Sequence, residues 1–233
     1  MIELTGLHCH VYGFVETWLN SNTEHLYTLK EYAYIGSVRS DRSGGGVALQ
    51  IHKSLLYTRI PQLSFNESYI ECVFIETILP PSNSTKIILG IIYRPPNSNI
   101  EQFLEKINEI NTFLAARKKL CYIMGDFNLD LISYQTNPNV KRFINLMHVY
   151  AFFPLFNKPT RIQQNSATLI DNVYCNYPQH AHRNGIYLTD ISDHLPLIVV
   201  NDSITLCSTN SRTYRYRPFS DQNVSAFKET LQS

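Results

Sequence analysis

Short runs of β-branched and aromatic residues recur along the chain, as "GVALQI", "IECVFIET", "KIILGIIY", "LCYIMG" and "LPLIVV". Runs of this length, set off by Gly, Pro, Asn and Ser, predict strands. Two stretches carry a different period. Ile100, Phe103, Leu104, Ile107, Ile110 and Leu114 repeat at helical spacing behind Ser98 and Asn99, both competent to cap a helix. A second helix is expected after Asn137, with Pro138 at its first position and Val140, Phe143, Ile144 and Met147 facing inward. Strands interrupted by helices predict an α/β fold.

Of the 233 residues, 44% are hydrophobic and 17% charged, which suits one sizeable core and argues against disorder. After Val200 the pattern fades, so residues 1–200 are expected to form the domain and 201–233 a linker or tail leading to a short terminal helix. Within that tail Arg212, Arg215 and Arg217 alternate with Tyr214 and Tyr216, either a nucleic-acid contact or a solvated linker. The net charge of +1 excludes a polybasic chain, so any contact with a polyanion must be local. Five scattered cysteines without a CxxC pair argue against a zinc site or a disulfide framework and favour a reducing compartment. No stretch approaches the ~20 apolar residues of a membrane span, and "MIELTGLHCHVYGF" lacks the apolar core of a secretory signal. An intracellular protein with no membrane partner is expected.

Polar residues break the apolar runs at five places: Glu16 in "FVETWL", Tyr93 and Arg94 in "IIYRPP", Asp126 and Asn128 in "MGDFN", Asp171 in "LIDNVY", and Asp193 and His194 in "ISDHLPL". Strand ends are where sites are built. Taken singly, Asp126, Asn128 and Asp193 read as turn or capping residues, Glu16 as a helix start and His194 as a satisfied core histidine. Asp171 differs, because an unpaired charge between apolar neighbours is costly and a partner is expected. As a set, hard carboxylates with one histidine suit Mg²⁺, with Mn²⁺ as the alternative ion, and proton transfer near neutral pH. That chemistry is metal-assisted attack of water on a phosphate ester.

The segments "ETWL", "GGGVAL", "YRPP", "GDFN", "PTR", "IDNVY" and "SDHLPL" occur in the order and approximate spacing of the endonuclease/exonuclease/phosphatase family. Over roughly residues 10 to 200 the set most resembles the apurinic-type endonuclease domain of non-LTR retrotransposons. The resemblance implies a two-sheet β-sandwich flanked by helices, a four-layer, deoxyribonuclease I-like fold. It implies that Glu16 and Asp193 serve the metal, that Asp126 activates water with Asn128 beside it, and that Tyr93 touches the scissile phosphate. His194 would contact the phosphoryl oxygen, Asp171 would fix its tautomer, and Arg94 and Arg161 would reach the substrate. The implied activity is Mg²⁺-dependent nicking of DNA for retrotransposon integration, in the nucleus, with a reverse-transcriptase domain as partner in the full element.

One departure stands out. The family begins with a strand ending in asparagine, then a helix and the strand that carries the glutamate, whereas only fifteen residues precede Glu16 here and none of them is asparagine. A truncated copy is expected, with the first strand missing and a sheet edge left open. The competing readings are an inactive remnant and a different phosphodiesterase or phosphatase of the family.

Overall fold

All five apolar runs form strands, because β-branched side chains pack well on a pleated surface. The structure, a computed structural model, describes residues 8–19, 22–37, 44–79, 85–179, 182–189 and 192–202. The small sheet contains β1 (Val11–Val15), β2 (Tyr32–Ser37) and β3 (Val47–His52) in the order β1-β3-β2, all antiparallel. The large sheet is built from β4 (Leu56–Arg59), β5 (Phe65–Asn66), β6 (Glu71–Leu79), β7 (Thr85–Tyr93), β8 (Leu120–Asp126), β9 (Phe153–Pro154) and β12 (Asp171–Cys175). Its order is β4-β6-β7-β8-β12-β9, with β5 beside β6. Two hairpins complete the strands, β10 (Arg161–Gln163) with β11 (Ser166–Thr168), and β13 (His182–Ile186) with β14 (Leu197–Asn201).

Among the described residues only β7 and β8 run parallel, and a parallel pair needs a crossover. Helix α1 (Ile100–Ala115) supplies it, its first turn capped by the Asn99 side chain, which accepts from the amides of Glu101 and Gln102. Helix α2 (Pro138–Val149) starts on Asn137 in the same way, with Pro138 where no donor is needed. Phe103 of α1 and Phe143 of α2 join Phe127 and Tyr174 in an aromatic cluster that seals both helices onto one face of the large sheet. The small sheet packs against the opposite face through β1, β2 and β3. On its outer side Gln50 holds the turn at Glu24–Tyr27, accepting from the Leu29 amide at 2.7 Å and donating to the Tyr27 carbonyl at 2.9 Å.

The α/β sandwich is therefore as expected. Both helices lie where the periodicity put them, and among the described residues the fourth layer is a turn. Among those residues β1 pairs only with β3 and β14 only with β13, so each offers an open edge. The terminal helix and the Arg212, Arg215 and Arg217 cluster lie outside the described residues. The four cysteines described are free, and no helix there is long and apolar enough to cross a membrane.

The pairing register sets the site. Glu71 lies opposite Tyr93, Tyr93 beside Asp126, and Asp126 opposite Asp171, so one rung of the sheet carries four polar residues on four adjacent strands. Paired residues project to the same face, here the one toward the small sheet. Gly125 makes the approach of β8 to β7 possible: its φ is +151°, and a Cβ there would stand 1.8 Å from the Ile92 carbonyl oxygen. Gly125→Ala is thus expected to destabilise the domain by about 2–4 kcal/mol, read as a lowered urea midpoint; an unchanged midpoint would contradict this account of the strand contact.

Candidate active site

Strand β8 ends on Asp126, and the chain then turns sharply. Asn128 has φ 47°, a conformation in which asparagine is tolerated better than most residues. From there its amide donates to Asp126 Oδ1 at 2.8 Å, while its side-chain nitrogen donates to Asp126 Oδ2 at 3.2 Å and to the Arg94 carbonyl at 2.8 Å. Asp126 and Asn128 are not alternate residues of one extended strand. They are a carboxylate at a strand end and the turn residue that clamps it.

Arg94 has a different placement from the one expected. It is buried, with its guanidinium donating to the carbonyls of Asn128 at 3.2 Å and Ser98 at 3.0 Å and lying over the Phe103 ring. Desolvation lowers its pKa from the usual value. In this position Arg94 ties the "GDFN" turn to the start of α1.

Across the rung, Asp171 faces His194. The imidazole Nδ1 lies 3.1 and 3.0 Å from the two Asp171 oxygens. The carboxylate receives a third contact from the Thr160 hydroxyl at 2.8 Å, and Thr160 in turn accepts from the Asp171 amide at 3.1 Å. Hydrogen bonding to Asp171 raises the His194 pKa above its ordinary value, against the effect of burial. With Nδ1 engaged, Nε2 is the nitrogen left to meet a ligand.

Glu16 follows β1 and approaches from the opposite layer. It has φ 51°, and its carboxylate accepts from the Tyr93 hydroxyl. Its carboxylate is close enough to Asp126 to act on it electrostatically. Burial, first, and then the Asp171 charge push the Asp126 carboxyl up to about 7, with Glu16 adding to the effect and His194 opposing it. Crowded, desolvated acids of this kind mark functional sites.

Ligand atoms of Asp126, Asp171 and His194 lie within 4.8 Å of one another, a spacing compatible with a cation. Glu16, a hard donor that acts on Asp126 electrostatically from the facing layer, is not a member of that group. Asp193 is not a member either but is near enough to His194 to act on it electrostatically. It is paired with Arg161 at 2.7 Å and with the Gln163 side chain at 2.9 Å, and these contacts hold its carboxyl down at about 2. That pair sits on the rim, beside an open cavity of about 590 Å³ lined by Ile162, Leu188 and Asp193.

The structure thus brings together Glu16, Tyr93, Asp126, Asn128, Asp171 and His194, and puts Arg94 beneath them and Arg161 with Asp193 beside them. Glu71 and Thr160 escaped the sequence reading. Glu71 is fully buried on the same rung and accepts from the Gly46 amide at 2.6 Å; inside "IECVFIET" nothing separates it from an ordinary strand residue. Thr160 stands in the quoted "PTR", where Arg161 drew the attention.

A family model described as endonuclease-reverse transcriptase matches residues 87–198. Among solved structures, the endonuclease domain of TRAS1, a telomere-specific non-LTR retrotransposon, has a TM-score of 0.65 at 15% identity, covering 82% of this chain and 84% of that one. The catalytic domain of Xenopus laevis APE2 has a TM-score of 0.63 at 16% identity, covering 85% of each. An AP endonuclease from Archaeoglobus fulgidus has a TM-score of 0.60 at 13% identity, covering 86% of this chain and 91% of that one. At these identities the structural likeness shows the fold. No curated protein matches the sequence.

The Asp126 pKa gives a test by stability. Because its folded value of about 7 exceeds the ordinary 3.8, the folded state holds a proton that the unfolded chain releases, so stability falls as pH rises from about 4 through about 7. Asp126→Asn keeps the acceptor for the Asn128 amide and removes the titration. In EDTA the variant is expected to be more stable than wild type at pH 8 by about 1–3 kcal/mol, with the gain vanishing near pH 4. Equal stability at both pH values in chemical denaturation would show that Asp126 carries no such strain.

Proposed function

We propose that the chain is a divalent-metal-dependent DNA endonuclease of the endonuclease/exonuclease/phosphatase family that hydrolyses a phosphodiester bond, a reading supported by the family model matching residues 87–198 and by the likeness in fold. The observation that carries the proposal is the His194–Asp171 pair set beside a raised-pKa Asp126, with Glu16 brought in from the facing layer.

Each residue then has a chemical task. Asp126, near 7, is matched to accept a proton from the attacking water at neutral pH, and Asn128 keeps its carboxylate in line. Asp171 fixes the Nδ1–H tautomer of His194 and favours its charged form, so Nε2 donates to a phosphoryl oxygen as negative charge builds there. Tyr93, hydrogen-bonded to Glu16, presents its hydroxyl beside the phosphate. Glu16 would hold Mg²⁺, or Mn²⁺, which would supply electrostatic stabilisation of that same charge. Arg161 holds Asp193 and offers its remaining donors to a flanking phosphate.

DNA as substrate, and a place in the integration of a retroelement beside a reverse-transcriptase domain, are supported by the description of the matching family model and by the likeness to the TRAS1 domain. Such a role places the protein in the nucleus. Residues 1–200 are proposed as the catalytic unit.

Single-turnover cleavage of a labelled duplex tests the assignment. Asp126→Ala and His194→Ala are each expected to lose about 10²- to 10⁴-fold in rate while circular dichroism shows a folded domain. Retention of wild-type rates in either variant would remove that residue from the chemistry. Arg161→Ala is expected to weaken binding of the duplex and to raise the Asp193 pKa from about 2 toward its ordinary value, a change read by NMR titration.

A further inference from the structure

Trp18 is the only tryptophan in the chain, and it is 68% exposed. It stands two residues after Glu16, a reach of at most about 7 Å along the chain, so its backbone lies close to the candidate active site. An aromatic ring of that size left in water at such a place is unusual for a soluble domain and offers a large apolar surface to a ligand.

The backbone presents this side chain rigidly. The Thr17 amide donates to the Gly46 carbonyl at 3.2 Å and the Trp18 amide to the Gly45 carbonyl at 2.8 Å. Trp18 has φ 56°, a conformation that costs free energy for a bulky residue and is found most often where function holds it. Beside the ring runs Gly44, at φ +85°; a Cβ there would stand 3.8 Å from indole Cζ2 and Cη2, so one edge of the ring rests against main chain. The Gly46 amide is in turn held by the buried Glu71 carboxylate, on the same rung as Tyr93 and Asp126. A continuous set of hydrogen bonds thus joins the indole's support to the site.

A flat apolar surface next to a group that binds a phosphodiester is matched by the face of a nucleobase, which stacks on aromatic rings in any sequence. We propose that Trp18 stacks on a base of the substrate strand next to the scissile phosphate and so sets how the strand lies in the cleft. The proposal rests on the DNA-endonuclease reading.

With a single tryptophan, indole emission reports on Trp18 alone. Asp126→Asn protein in Mg²⁺ is titrated with a short unlabelled mixed-sequence duplex, and binding is followed separately by the anisotropy of the same duplex carrying fluorescein. The indole is expected to be quenched along the same isotherm. Trp18→Ala is expected to weaken affinity roughly 5- to 100-fold, with Trp18→Phe restoring most of it. Duplex binding with unchanged indole emission, or undiminished affinity in Trp18→Ala, would overturn the stacking role and leave the endonuclease reading standing. Absence of any duplex binding would overturn both.

Discussion

The rest of the structure depends on the register in which β6, β7, β8 and β12 pair. It sets Glu71, Tyr93, Asp126 and Asp171 abreast, with neighbouring strands about 4.8 Å apart. A slip of one residue in any pairing would turn that strand's polar group from the inter-layer face toward the helices. The surrounding apolar side chains oppose such a slip, because the same register buries Val73, Ile91 and Val173 on one face and Phe74, Ile123 and Tyr174 on the other. Core packing and site geometry are therefore one constraint.

Gathering acids on that rung opposes folding, and the protein meets this locally. Asp171 is compensated by His194 and Thr160, and Asp193 by Arg161 and Gln163. Among the described residues the Asp126 carboxylate accepts from Asn128 alone, and burial, followed by the Asp171 charge, raises its carboxyl to about 7. Positive φ at Glu16, Trp18 and Asn128 adds backbone strain in the same region. Desolvated charge with strained backbone beside it is what a binding or catalytic site imposes on a fold.

Much of this was legible in the sequence. The strands and both helices follow from period and capping, and the set of polar breaks named six of the residues that meet at the site. Pairing register was not legible, since it arises between strands far apart in the chain, and with it went the role of Glu71. The direction of a side chain at a turn was also hidden. "YRPP" shows Arg94 after a strand, but only the closing of the "GDFN" turn buries its guanidinium under Asn128. Asp193 and His194 are adjacent in "SDH", yet opposite directions along the chain send one to the β10–β11 hairpin and the other to Asp171.

The most direct test of the central claim is the fate of supercoiled plasmid incubated with the purified chain in Mg²⁺, followed by extension of the product with a DNA polymerase and labelled nucleotides. The account predicts open circles whose breaks carry 3′-hydroxyls and so incorporate label, with no product in EDTA. Plasmid left supercoiled by a folded protein in Mg²⁺ would contradict it, and the motifs would then record ancestry without activity.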